Sequence, residues 1–259
     1  MASNERIAGN FSKGAAAYDE LAACQRHAAR KLANIIIART QGMDSPRKVI
    51  ELGCGTGFLT EKLFSTFTAS EFTVTDISDA MLGRCRDKTS GLKVSKRHFI
   101  PCDFDRTIPE GGYDMIVSGM SFQWSSDLEK LASSLHSHLR PGGMLFLSML
   151  IEPTFGSLKK TFKELEIRYP GPEFRTESQI RKIFSGFSRV NFIAETYSEK
   201  HRGTAGFLKH LNRIGAGNPG GERIPAGNLR KIISSHDGKH SFDGLVEAEY
   251  RILYGALQK

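Results

Sequence analysis

At 259 residues the chain can bury one complete core, with room for a small cap but not for a second full domain. Its 39% hydrophobic and 25% charged residues exclude a disordered or fibrous protein, and no apolar run approaches the ~20 residues of a membrane span, the best being residues 144–151. The net charge of +8 is unevenly divided, with 18 Lys+Arg against 16 Asp+Glu in residues 1–150 and 18 against 12 in residues 151–259, so the basic excess favours an acidic partner for the C-terminal part.

The first twenty residues hold no basic start followed by an apolar stretch, and no secretory leader is expected. Cys24, Cys54, Cys85 and Cys102 are widely spaced and form no CxxC. Reduced thiols in a cytoplasmic protein are expected, not disulfides or zinc ligands. Residues 11–40, rich in Ala with apolar positions at helical spacing, predict helix, and a turn follows. A short apolar strand from Lys48 runs into glycines, and residues 58–67 continue as a helix. Residues 71–78 (EFTVTDIS) form a second strand ending in an acid, and residues 79–90 a helix. Residues 94–104 and 113–121 are a third and a fourth strand. The helix over 127–140 is expected to stop at Pro141-Gly142-Gly143, where helical geometry ends. Residues 144–150 (MLFLSML) are apolar throughout, as in a strand covered on both faces. Such alternation predicts a parallel sheet.

Past Ile151 the pattern changes. Residues 157–169 and 178–187 predict helices and residues 189–198 a strand. A helix over 204–214, a glycine-rich loop over 215–228 and a basic helix over 229–240 follow, and residues 245–258 close the chain as a last strand.

The stretch Glu51-Leu52-Gly53-Cys54-Gly55-Thr56-Gly57 sits between a strand and a helix, the context in which a glycine loop lets the backbone approach a ligand. It is neither GxGxxG nor GxxxxGK[ST], so a dinucleotide fingerprint is weak and a P-loop is excluded. Asp76 ends the second strand, 25 residues after Glu51, where a carboxylate can accept from both hydroxyls of a ribose. Asp103, at the end of the third strand, is placed to meet the exocyclic amine of an adenine.

These residues resemble the class I S-adenosylmethionine methyltransferase pattern, E/DxGxGxG with an acid after each of the next two strands, and Pro141-Gly142-Gly143 before the fifth strand is also usual there. The resemblance implies an α/β, Rossmann-like, doubly wound sheet of seven strands in the order 3-2-1-4-5-7-6, the last strand antiparallel, plus a small helical cap. It implies one methyltransferase domain over 1–259, with N-terminal lid helices over 1–46, a cofactor-binding core over 47–150 and cap or substrate insertions over 151–180 and 201–243. Implied cofactor residues are Glu51, Gly53, Cys54, Gly55, Gly57, Asp76, Ile77, Met81, Asp103, Phe104 and Ser118. S-adenosyl-L-methionine is the implied cofactor and S-adenosyl-L-homocysteine its product.

For the methyl acceptor, no N/D-P-P-Y/F motif follows the fourth strand, which weighs against most nucleobase chemistry. Residues 118–128 (SGMSFQWSSDL) instead resemble the carboxylate O-methyltransferases, in which a QW pair lies just past that strand. Two families share it: the malonyl-acyl-carrier-protein methyltransferases of biotin synthesis and the trans-aconitate methyltransferases. Phe11-Ser12 through Tyr18-Asp19, Leu21 and Gln25-Arg26 resemble the opening helix of the first family. Leu208-Lys209 to Gly215-Ala216-Gly217-Asn218, and the closing YRILYGAL, resemble its later segments. An acidic acyl carrier protein, docking on the basic C-terminal part, is the implied partner, with no nucleic acid and no membrane. Methylation of a small tricarboxylate is the alternative. A basic sequence pI near 9.3 is all that suggests nucleic-acid methylation, and a further possibility is a cofactor-binding protein without turnover.

A carboxylate nucleophile is already ionised at neutral pH, since such acids titrate near ~4. Methyl transfer then needs alignment at about 3 Å and exclusion of water, not a general base. No catalytic acid–base residue is expected. Tyr18, Gln123 and Trp124, with Arg202, Lys209 and Arg213 of the cap, are the expected substrate residues; Lys209 and Arg213 share a helix face. The histidines, among them His98, His136, His138, His201, His210, His236 and His240, show no ligand spacing, and no metal is assigned.

Overall fold

The computed structural model describes residues 4–217, 221 and 223–259. Strands β1 (Lys48–Leu52), β2 (Glu71–Asp76), β3 (Lys96–Pro101), β4 (Tyr113–Gly119), β5 (Leu139–Leu150) and β6 (Arg189–Arg202) run in one direction, and β8 (Leu245–Gln258) lies antiparallel between β5 and β6, in the order β3-β2-β1-β4-β5-β8-β6. A two-residue β7 (Ser241–Phe242) pairs with β8. Apart from that added pair, the order is the one the sequence motifs imply.

Two layers cover the sheet, and strand alternation decides which residue enters which. Val49, Met115, Val117 and Phe146 belong to one cluster with helices α2 (Ala23–Thr40), α3 (Phe58–Thr66) and α4 (Asp79–Lys88). Their neighbours Ile50, Ile116, Leu145 and Leu147 belong to a second cluster with α5 (Leu128–His138) and α7 (Glu177–Ile183). Adjacent strand residues face opposite sides, so a strand buried on both faces is apolar at every position. β3, at the edge, is exposed at both ends and carries Lys96 and Arg97, charges that discourage pairing with another chain.

Several boundaries depart from the sequence expectation, among them the end of the helix expected over 157–169, which stops at Glu164, and three have a plain physical cause. The N-terminal helical run starts earlier, at Asn4, and divides at Ala22 into α1 (Asn4–Leu21) and α2. Pro141-Gly142-Gly143 lies inside β5, not between helix and strand, because a register shift opposite Tyr113 and Met115 bulges the start of that strand and Gly142 takes φ +76°. β6 continues to Arg202, well past residue 198, because its whole length pairs with β8.

β5 pairs β8 only from Ile252 to Gln258, whereas β6 pairs it back to Leu245. The overhanging two-stranded ribbon carries α8 (Gly203–Arg213) and α9 (Ala226–His240). These pack with α6 (Gly156–Glu164) around Phe155, Leu158, Phe162, Phe207, Leu211 and Ile232. No helix among the described residues is long and apolar enough to cross a membrane.

Candidate cofactor and methyl-acceptor site

From β1 the chain builds outward through β2 to β3 and then returns to β4 on the other side of β1. A crevice forms at such a switch point, beyond the C-terminal strand ends. The register levels those ends: Leu52 pairs with Thr75, and Asp76 with Pro101. Glu51, Asp76 and Asp103 thereby reach one cavity.

The glycine loop forms its floor. Gly53 has φ +74°, and a Cβ there would lie 2.5 Å from that of Ser121, so no other residue fits. Gly55 lines the cavity, and a Cβ on it would meet nothing within 4 Å. The missing side chain leaves open space beside bare backbone. The Gly55 N–H donates to Asp76 Oδ2 at 2.8 Å, and the Ser78 N–H to Oδ1 at 2.8 Å. Burial pushes the Asp76 carboxyl up to about 6 even though those backbone donors oppose the shift. A carboxylate has about four acceptor sites, so acceptor capacity stays available for a ligand. Glu51, also buried, accepts from the Thr60 hydroxyl at 2.6 Å, and burial raises it to about 7. Cys54 lines the floor as a buried thiol, raised by burial and by its neighbour Cys85.

Ile77, Met81 and Phe104 form apolar walls beside Asp103. Both oxygens of Asp103 accept from the side-chain amide of Asn4, at 2.9 and 2.8 Å. Asn4, Ile7, Phe11 and Tyr18 of α1, with Gln25 and Ala29 of α2, roof the cavity. Tyr18 is buried, its ring 6.2 Å from that of Phe58, and burial with the nearby Asp76 charge drives its phenol well above the usual range. It therefore stays a hydrogen-bond donor at every working pH. Trp124 lines the opposite wall, edge-on to Phe11 at 5.6 Å. Asp19 fastens the end of α1: Thr56 donates to it at 2.5 Å and Lys88 pairs with it at 2.7 Å.

Six expected residues lie elsewhere. Gly57 does not line the cavity; it starts α3 at φ +92°, where a Cβ would come 2.9 Å from Cys85 Sγ, so it serves the packing of α3 on α4. Ser118 is fully buried and donates to the Leu52 carbonyl at 2.9 Å, bracing the strand just before the glycine loop. Gln123 turns its amide back onto the Met120 carbonyl at 2.7 Å. In the single 3-10 turn Phe122–Trp124, successive side chains diverge by about 120°, so the turn that aims Trp124 inward aims Gln123 away. Arg202 is exposed at the head of α8. Lys209 and Arg213 line a separate groove between α8 and α9. The reason is amphipathic: Thr204, Phe207 and Leu211 are the buried face of α8, which leaves 209 and 213 on the outer one. Asn218, part of one sequence resemblance, lies outside the described residues.

Sequence reasoning missed Asn4, Thr56 and Ser121 as lining groups and assigned no contact to Phe11 or Gln25. The last two did carry a signal, since both fall in the opening-helix motif. None of the described lining residues is Lys, Arg or His.

A methyltransferase-domain family model matches residues 50–145, the strand–glycine-loop region that floors the cavity and the strands beside it. The chain is 29% identical over 255 residues to the malonyl-acyl-carrier-protein O-methyltransferase of Magnetococcus marinus, covering 97% of this chain and 92% of that one. It is 31% identical over 219 residues to malonyl-acyl-carrier-protein O-methyltransferase 2 of Ilyobacter polytropus, covering 83% and 82%. Among solved structures, the YcgJ protein of Bacillus subtilis superposes with a TM-score of 0.62 at 14% identity, covering 89% and 98%, a likeness of fold. Level acids, an open glycine floor and apolar walls suit the ribose, adenine and sulfonium of S-adenosyl-L-methionine, which is the cofactor of this enzyme. The chain is a class I methyltransferase and belongs to the malonyl-acyl-carrier-protein O-methyltransferase family.

Proposed function

We propose that the chain methylates the free carboxylate of a malonyl group borne by acyl carrier protein, an early step of biotin synthesis; two relatives are named malonyl-acyl-carrier-protein O-methyltransferases and a third a biotin biosynthesis bifunctional protein. The observation that carries this reading is one cavity lined by strand-end acids and by aromatic side chains, without a cation among its described lining residues.

When bound, the cofactor supplies an electrophilic sulfonium methyl. Asp76 would hold the ribose hydroxyls and Asp103 the adenine amine, with Ile77, Met81 and Phe104 against the ring and Gly53 and Gly55 giving backbone access. Tyr18, Gln25 and Trp124 offer neutral donors to the acceptor carboxylate. That carboxylate is ionised at neutral pH, so no base is needed. Neutral donors hold it without burying its charge against a cation, which would stabilise the ground state as much as the transition state. α1 and α2 act as a lid that excludes water from the displacement. A tricarboxylate acceptor calls for several cations, and the described lining residues include none.

Lys209, Arg213 and the apolar groove beside them lie outside the cavity and suit the acidic surface of a carrier protein. Residues 151–180 and the described residues of 201–243 would form the acceptor-facing cap. Four buried free thiols support a reducing, cytoplasmic setting.

The test is a side-by-side assay of malonyl-carrier protein and trans-aconitate, with rescue of a biotin-requiring strain that lacks its own methyltransferase. Methyl ester formed on the carrier, with growth restored, is expected. Turnover of trans-aconitate alone would overturn the reading.

A further inference from the structure

Glu199 and His201 stand two residues apart on β6 and so share one face of the ribbon. His210 arrives from α8 on the same side. One ligating atom of each lies within 4.8 Å of the other two. Glu199 Oε2 is 3.5 Å from Nε2 of His201 and 3.5 Å from Nε2 of His210, and the imidazole rings are 4.7 Å apart. All three side chains are largely buried, at 11%, 11% and 14% exposure. The backbone N–H of Cys24 donates to Glu199 Oε1 at 2.8 Å, which fixes the carboxylate and leaves Oε2 toward the histidines. Nε2 of His201 is buried without a hydrogen-bond partner. A buried orphan nitrogen facing a carboxylate and a second imidazole needs a physical explanation.

We propose that Glu199, His201 and His210 bind one divalent transition ion of the zinc class, with solvent as the fourth ligand. Ligands about 2.1 Å from a tetrahedral ion stand about 3.4 Å apart, and the two separations from Glu199 Oε2 are already 3.5 Å. Two imidazoles and one carboxylate select a borderline cation over magnesium or calcium, which take oxygen ligands.

The ion would tie α8 to the ribbon. The end of α8 packs closely on α1: a Cβ on Gly14 would meet the Arg213 carbonyl at 2.8 Å, and one on Gly215 would meet that of Asn10 at 2.8 Å. A pinned α8 therefore steadies the helix that roofs the cavity. Separate local contributors hide such a site from sequence spacing, because His210 joins the pair on β6 only through the fold. The inference stands apart from the identity of the methyl acceptor.

The experiment is calorimetric titration of zinc chloride, then of magnesium chloride, into the full-length chelator-stripped protein, checked by competition with a chromogenic chelator. One equivalent of zinc and no magnesium uptake are expected. His201→Gln and His210→Gln should each weaken zinc binding at least about tenfold, while His138→Gln, at the far end of α5, leaves it unchanged. Cobalt(II) in place of zinc should give the visible bands of four-coordinate cobalt. The wild-type titration decides the matter whatever the stability of the variants. No stoichiometric zinc uptake, or equal uptake by wild type and folded His201→Gln, would reduce the cluster to a hydrogen-bonded histidine–carboxylate group and overturn the site.

Discussion

The side-chain amide of Asn4 donates to both carboxylate oxygens of Asp103, at 2.9 and 2.8 Å. An amide amino group and an adenine amino group make the same demand on a carboxylate, so the first residue of α1 competes with the cofactor for one acid. Asn4→Ala is expected to speed cofactor association about threefold to tenfold, the worth of one net hydrogen bond. Trp124, the single tryptophan, lines the same cavity and reports the event by stopped-flow fluorescence. An unchanged or slower rate would refute the competition.

Asp76 carries the cofactor's ribose in this account, and it must be ionised to do so. With its carboxyl near 6, binding below that pH has to expel a proton, so affinity should fall about tenfold per pH unit there and level off above pH 7. Asp76→Ala should lose about a hundredfold or more in affinity through two charge-assisted hydrogen bonds. Calorimetry between pH 5 and pH 8 checks both statements, and a pH-independent wild type would contradict the first.

Glu51 is fully enclosed and its carboxyl is raised to about 7 from an ordinary 4.5. The folded state therefore holds its proton more tightly than the unfolded chain. Its ionisation destabilises the fold fully above pH 7, and the penalty fades as pH falls from 7 toward 4.5. Glu51→Gln removes the charge and keeps an acceptor for Thr60. It should stabilise the cofactor-free protein at pH 8, by up to about 3 kcal/mol, and make no difference near pH 4.5. Denaturant unfolding at the two pH values measures the contrast.

Tyr18→Phe keeps the ring against Phe58 and deletes only the donor. Turnover with malonyl-carrier protein should drop about tenfold in kcat/KM, one hydrogen bond to a charged group, while cofactor affinity stays within a factor of two or so. A parallel loss of cofactor binding would place the hydroxyl at the wrong end of the cavity.

Lys209 and Arg213 lie on the outer face of α8, away from the chemistry. Replacing both by Glu should raise KM for the carrier-borne substrate about tenfold or more, steepest at low salt, and leave kcat nearly intact. A malonyl thioester without the carrier should be insensitive. Equal effects on the two substrates would mean that the pair acts on the cavity after all.

The sheet order and the strand-end acids are legible in the sequence because motif and strand boundary coincide: a glycine loop can follow only a strand end, and Asp76 closes an alternating run. What the sequence hides is direction. The face of α8 that is buried depends on Phe207 meeting Phe155, a residue 52 positions earlier, so Lys209 and Arg213 are easily placed on the wrong side. Ser118 looks like a lining residue from its position at a strand end, yet the pleat directs it to the Leu52 carbonyl. Gln123 and Trp124 are adjacent in sequence and part company within one tight turn. Asn4 reaches Asp103 across 99 residues, and no local pattern announces it.

Arg202 and Leu245 face each other in the last rung of the β6–β8 ladder. The excursion over 203–244 starts and ends at that rung, returning to the sheet through the short β7, with its two anchors held at a fixed spacing by the ribbon. Its exposed positions can therefore be rewritten without shifting the strands that present Glu51 and Asp76, provided the buried face of α8, Thr204, Phe207 and Leu211, is kept. The proposed role of this excursion in choosing the acceptor can then be tested as a module, by grafting the exposed part of a foreign one between those two residues.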